Sequence, residues 1–312
     1  MCARYKFMLT REGKLEVTQS DRRIDTKSSS TAAIMCSLRA ASYKDKRECY
    51  SGNDNVAYEL VPVVFKFLIR TKLFRIFNRF SVPKGVYEYI IARTRYFDEA
   101  FSQALKERFD QIIIFGAGYD SRGLRFNELN KGTTVFELDS PITQQKKLKA
   151  YQSKKISIPS SLVFVPIDFN KERLEEKLDQ AGFVAGKRTL FLLEGVTMYL
   201  SRDAVEGTFR LISGASGKGS MVVFDHIYGD VLRQENKYYG EKGMYKTVAK
   251  AGEKWTFALE ENEAKNFLDK FGLELKDNSG AKELEERYFR SSRGIIIGKI
   301  NGTHAIVTAI KT

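Results

Sequence analysis

Between residues 110 and 226 short apolar runs recur, and the stretches separating them have helical spacing. The runs are Ile112 to Phe115, Thr133 to Asp139, Leu162 to Pro166, Arg188 to Glu194 and Ser220 to His226. Nearly continuous apolar character marks strands buried on both faces. The stretches between them predict helices over 140–153, over 170–181, and from a Ser201-Arg-Asp203 cap to about Ser213. Strand-helix repeats of this kind predict an α/β fold with a doubly wound, mostly parallel sheet and right-handed crossovers. A long amphipathic helix, Val86 to Phe109, leads into the first strand.

The flanking regions read differently. Residues 1–27 are polar, of mixed charge and without a period, and contain no signal-peptide pattern. Hydroxyl residues Ser28 to Thr31 precede an alanine-rich run to Ala41, which predicts a capped helix. A charged loop follows to Asn55. Val56 to Phe80 predicts one or two helices, with Val61, Val64, Phe65 and Leu68 apolar and basic residues in the gaps; Pro83 and Gly85 end it. That segment could lie on a membrane surface, but its interleaved charges fit better with packing on the domain, and they prevent a bilayer span. Residues 228–254 are polar and tyrosine-rich, long for a connection, and predict a lid closed by Trp255. Beyond it come a helix at 260–271, a short strand at 273–276, a charged loop or short helix at 283–290, and two late strands, 294–300 and 305–310. The dipeptide Asn301-Gly302 suggests a hairpin between them.

Charge and composition narrow the function. The chain has 312 residues, 43% hydrophobic and 29% charged, with a net charge of +13. The basic excess is concentrated in the first hundred residues and favours an anionic substrate over nucleic acid, because no nucleic-acid module is present. Three cysteines without metal-ligand spacing fit a reducing, cytoplasmic setting and predict no metal site. Two histidines, His226 and His304, leave little material for a Ser-His-Asp triad and read as strand-end or surface residues.

Candidate chemistry centres on the first two strands. Gly116 and Gly118, flanking Ala117, follow Ile112 to Phe115 at once, and Glu137 and Asp139 close the next strand. Glycines allow a sharp turn and close approach of a ligand, and an acid about 20 residues on can bind ribose hydroxyls. Glu137 and Asp139 are two apart on a strand and face one side. A dinucleotide fingerprint requires a third small residue where Ser121 and then Gly123 fall out of register, so a nucleoside without a pyrophosphate is the better fit. Asp168 and Glu194 end later strands, where ligands bind in such sheets. On the helix before the first strand, Arg93 and Arg95 must face different ways, so one can point to the pocket.

The motifs Ala92-Arg-Thr-Arg-Tyr-Phe-Asp98, Gly116-Ala-Gly-Tyr-Asp-Ser-Arg122, Phe136-Glu-Leu-Asp-Ser-Pro141, Asp168-Phe169 and Glu194-Gly-Val-Thr-Met-Tyr-Leu200 together resemble the leucine carboxyl methyltransferase family, which includes bacterial polyketide carboxyl methyltransferases. The resemblance covers residues 30 to about 215. It implies a class I, Rossmann-like methyltransferase with a seven-stranded sheet, using S-adenosyl-L-methionine and releasing S-adenosyl-L-homocysteine. It assigns Arg93 to the methionine carboxylate, Gly116, Ala117 and Gly118 to the methionine backbone, Asp139 to the ribose with Glu137 as a candidate to share that role, and Asp168 and Phe169 to the adenine. Glu194 falls near the methionine amino group or the methyl centre. Tyr199 lines the substrate side as the one candidate catalytic group, and Arg39 faces the substrate from the N-terminal region. Residues 1–109 become a helical cap, residues 110–312 the catalytic domain, with a lid at about 228–256. The expected acceptor is a carboxylate of a small molecule or peptide end, which needs no general base because it is ionised at neutral pH. A nicotinamide-dependent oxidoreductase and a non-catalytic binding protein use the same glycines and stay open at this stage.

Overall fold

A computed structural model describes residues 30–71, 74, 82–169, 171–251 and 254–312. Its centre is a seven-stranded sheet in the order β3-β2-β1-β4-β5-β7-β6. The strands are β1 (Gln111–Phe115), β2 (Thr134–Asp139), β3 (Leu162–Pro166), β4 (Thr189–Leu193), β5 (Met221–Ile227), β6 (Leu273–Ser279) and β7 (His304–Lys311). The first five are parallel, and β7 runs antiparallel between β5 and β6. The described helices are α1 (Ser30–Lys44), α2 (Asn55–Leu60), α3 (Val63–Ile69), α4 (Val86–Lys106), α5 (Arg122–Arg125), α6 (Pro141–Ser153), α7 (Leu174–Gln180), α8 (Arg202–Ala215), α9 (Gly229–Leu232), α10 (Glu241–Ala251), α11 (Ala264–Asp269) and α12 (Ala281–Tyr288).

The alternation of side chains along each strand divides the core in two. Ile112 and Ile114 of β1 with Leu190 and Leu192 of β4 pack against α1, α2 and α4. Ile113 and Phe115 with Phe191 and Leu193 pack against α7, α8 and α11 on the other face. Every residue of β1, β4 and β5 is buried, which is why these strands read as unbroken apolar runs. α4 carries Tyr89, Ile90, Arg93, Phe97 and Phe101 on buried positions and delivers the chain to β1. α8 starts where the Ser201 hydroxyl accepts from the Ala204 N–H, the cap legible in the sequence.

Several expectations change. Of the one or two helices expected over Val56 to Phe80, two are described, α2 and α3, divided at Pro62 because a proline lacks the N–H that a helix interior needs; most of the remainder lies outside the described residues, as do residues 1–27. The predicted strand at 294–300 is absent among the described strands, and Asn301-Gly302 makes no hairpin. Asn301 is fully buried instead: its backbone N–H donates to the Gly85 carbonyl (2.9 Å) and its amide to the Lys84 carbonyl (3.0 Å), tying this loop to the start of α4. The antiparallel partners of β7 are β5 and β6, and 283–290 is largely the helix α12. The stretch 228–254 holds α9 and α10. Among the described residues no helix is long and apolar enough to cross a membrane, and no cluster of three or more His, Cys, Asp or Glu is placed to hold a metal.

Candidate active site

The carboxyl ends of β1, β2 and β4 form one edge of the sheet, and most of the predicted residues meet there. Gly116 and Gly118 both adopt left-handed backbone, at φ +57° and +51°. A Cβ on Gly116 would come 2.9 Å from Val196 Cγ2, and one on Gly118 3.0 Å from Ala32 Cβ at the start of α1. Side chains are therefore excluded twice over, by backbone strain and by space. Between them the Ala117 N–H donates to the Leu138 carbonyl (2.9 Å), extending the β1–β2 ladder into the turn.

Asp139 fixes this turn from the next strand. Its carboxylate accepts the Gly118 N–H through one oxygen and the Ser140 N–H (2.6 Å) through the other. Burial raises its pKa, and these two backbone donors pull it back. Glu137 shares the strand face but not the open edge. It is almost completely buried and paired with the equally buried Lys147 of α6, which closes it off; its Oε1 has no hydrogen-bond partner. Burial lifts its pKa to about 7 against the attraction of Lys147. Of the two acids of β2, Asp139 meets the glycine turn, and Glu137 is half of an internal ion pair. Beyond β3, Asp168 pairs with Lys171 (2.5 Å), and Phe169 is 47% exposed.

Arg93 and Glu194 lie deeper. Arg93 is 7% exposed, with Nε 3.0 Å from Glu194 Oε1 and Nη1 3.1 Å from Asp225 Oδ2. Burial opposes its charge, but Glu194 and Asp225 outweigh it and keep the guanidinium protonated. Glu194 uses Oε2 to meet Arg122 Nη1 at 2.8 Å, and Arg122 also pairs with Asp98 (2.8 Å) and Asp120. Arg95 faces elsewhere, donating to the carbonyls of Tyr288 (3.0 Å) and Ser51 (2.9 Å). Arg39 of α1 is bound to Asp54 (2.8 Å) and donates to the Tyr119 carbonyl (2.6 Å), one residue past Gly118. It therefore stands at the glycine turn. Tyr199 is half-buried in the 3-10 turn Thr197–Tyr199 that follows β4.

Sequence reasoning gave no role to Arg122 or Asp225. Arg122 closes the glycine motif, and that position was the available signal; Asp225 lies inside β5, two residues before its end. Of the two settings expected for the histidines the strand end is the one found: His304 opens β7 and His226 stands next to the last residue of β5, and both are buried. His304 stacks on Tyr89 (ring centroids 4.6 Å apart) and meets Trp255 edge-on (5.6 Å). Burial, then the nearby Arg93 and His226, push its pKa down to about 3; burial also lowers that of His226.

The fold and this edge define the class I methyltransferase architecture, in which a nucleoside cofactor binds above the strand ends. The leucine carboxyl methyltransferase family matches residues 32–213, more than half the chain, and the protein belongs to that family. A Bacillus subtilis relative named "Putative S-adenosyl-L-methionine-dependent methyltransferase YktD" is 28% identical over 203 residues, 65% of this chain and 66% of its own. A Mycobacterium avium protein with the same descriptive name is 36% identical over 142 residues, 46% of this chain and 44% of its own. The chain spans about half the length of most curated relatives it matches. Among solved structures, a DUF574 family protein from Streptomyces avermitilis has a TM-score of 0.56 at 15% identity, covering 93% of this chain and 100% of that one. A Thermobifida fusca protein gives 0.55 at 12% identity, covering 89% and 94%. These two likenesses speak to fold.

Proposed function

We propose that this protein uses S-adenosylmethionine to methylate a carboxylate oxygen of a small molecule or a peptide end. One observation carries the reading: the two left-handed glycines, Asp139 and the buried Arg93–Glu194 pair converge at a single edge of a sheet whose family is defined by carboxyl methyltransferases. The glycine cradle fits a ligand chain that a Cβ would displace. In this reading Asp139 takes the ribose hydroxyls, Phe169 the adenine face and Arg93 the methionine carboxylate. When bound, the cofactor supplies a methyl group already activated on a sulfonium. The helices preceding β1, with Ala32 against Gly118 and Arg39 on Tyr119, act as the cap in this reading, and residues 228–256 as the lid.

The chemistry left to the protein is alignment and exclusion of water, which can supply roughly 7–11 kcal/mol of the barrier. A carboxylate acceptor suits this chain because its two histidines are poor bases. Both are held neutral in the interior, and one titrates near 3, far from the range in which a general base works. Tyr199 lines the acceptor side. The unpaired cysteines Cys36 and Cys49 support a reducing, cytoplasmic setting.

The test is transfer from methyl-labelled S-adenosylmethionine to a panel of carboxylic acids and peptides. Methyl esters release labelled methanol on mild base treatment, and amide analogues should be inert. Label that survives base would replace this reading with N-methylation or phenol ether formation.

A further inference from the structure

Asp225 is the least exposed carboxylate near the proposed cofactor edge, at 0% exposure, and it accepts hydrogen bonds from three separate places. Oδ1 takes the Gly195 N–H at 2.6 Å. Oδ2 takes both the Tyr89 hydroxyl at 2.9 Å and Arg93 Nη1 at 3.1 Å. Tyr89 and Arg93 are four apart on α4 and share a face. Gly195 directly follows Glu194, has left-handed backbone (φ +67°), and leaves no room for a Cβ, which would lie 3.0 Å from Arg93 Nη1.

We infer that Asp225 is a positioning residue that sets the guanidinium of Arg93 and the end of β4 in one geometry for the amino-acid end of the cofactor. The inference rests on the reading that Arg93 receives the methionine carboxylate. Asp225 supplies the directional contact, a hydrogen bond to Nη1, while Glu194 lies 3.0 Å from Nε as an ion-pair partner without hydrogen-bond geometry, so the orientation of the guanidinium rests on Asp225. Through Gly195 the same carboxylate holds the backbone on which Glu194 sits. Only an acceptor on both oxygens satisfies these donors. Asparagine has the shape but must oppose an NH2 either to the Gly195 N–H or to Tyr89 and Arg93. Asp225 touches no cofactor atom in this scheme and acts through the groups it orders.

The experiment compares two ligands on the full chain. S-adenosylhomocysteine carries the amino-acid end, and 5′-methylthioadenosine has the nucleoside without it. Dissociation constants are measured by calorimetry for wild type, Arg93→Ala, Asp225→Asn and Tyr89→Phe. For Asp225→Asn, S-adenosylhomocysteine should bind about tenfold more weakly, while 5′-methylthioadenosine changes less than about twofold. Tyr89→Phe keeps the charge and removes one donor, so it should show the same contrast at about threefold, and it carries the test if Asp225→Asn does not fold. Equal weakening of both ligands would make Asp225 a merely structural residue, and no weakening of either would leave it without a positioning role; each overturns the inference. Arg93→Ala separates the two levels. If it shows the contrast and the Asp225 and Tyr89 variants do not, the inference alone fails. If it shows none, the reading of Arg93 fails and takes the inference with it.

Discussion

Arg93 and Glu194 meet inside the protein, Nε to Oε1 at 3.0 Å, from a helix that precedes the sheet and a strand at its centre. Glu194 then reaches Arg122 with its second oxygen, so the pair is one link in a chain of buried charges. Removing one partner of such a pair strands the other, at a cost of about 3–5 kcal/mol. The same residues bracket the proposed place of the cofactor's amino-acid end, so their loss should register in binding as well as stability.

The two arginines of the Ala92 to Asp98 motif provide the contrast. Arg93→Ala should weaken S-adenosylhomocysteine at least about tenfold in calorimetry. Arg95→Ala removes only contacts to two backbone carbonyls and should stay within about twofold. Arg93→Lys should recover part of the loss, because an ammonium replaces the charge but not the planar fork. The reverse order between Arg93 and Arg95 would show that the wrong arginine faces the cofactor.

Gly118→Val puts a branched side chain on left-handed backbone, 3.0 Å from Ala32 Cβ at its first atom. The strain should cost about 1–3 kcal/mol, small enough for circular dichroism to report a folded protein. Binding of S-adenosylhomocysteine should vanish. A folded Gly118→Val protein with unchanged affinity would falsify the cradle.

His304 gives the protein an acid-sensitive site. Its folded pKa of about 3 lies below the unfolded value of 6.5, so the unfolded state binds the proton more tightly. The stability this contributes is complete above pH 6.5 and is lost as pH falls towards 3. His226 is shifted in the same direction by its burial and adds to the effect. Denaturant titrations across this window should show stability falling with pH, and His304→Phe should flatten the slope by up to about 1.4 kcal/mol per pH unit. An unaltered slope in the variant would mean that His304 is not the titrating group.

Asn301→Ala should be among the more damaging substitutions outside the site. It removes the amide that donates to Lys84 and the oxygen that accepts from the Thr303 N–H (3.2 Å), in a fully buried position. Unsatisfied groups of this kind cost about 1–3 kcal/mol each. Chemical denaturation measures the loss, and a change under about 0.5 kcal/mol would place the anchor elsewhere.

The parallel half of this fold was legible because its strands are buried on both faces and leave continuous apolar runs, as in Ile112 to Phe115. The glycine turn was legible because glycine takes φ of +57° and +51° without steric cost, at positions where a Cβ would also crowd Val196 and Ala32. What stayed hidden depends on partners distant in sequence. Nothing near Glu137 announces that Lys147 will cover it, although both acids of β2 share a face. Asn301-Gly302 carries local hairpin chemistry, yet tertiary contacts to Gly85 and Lys84 decide its conformation. Asp225 looked like a residue inside a strand; its importance appears only once α4 brings Tyr89 and Arg93 against it.

The insertion of β7 between β5 and β6 also has a consequence for the order in which the molecule can be assembled. β6 is synthesised before β7 but is paired in the sheet only to β7. His304 enters beside Tyr89 from this same late strand. A chain emerging from the ribosome can build β1 to β5 and the glycine turn early, yet the wall behind Arg93 stays open until residues 304–311 have been made. Nascent chains stopped short of β7 would carry the glycine turn without that strand behind it.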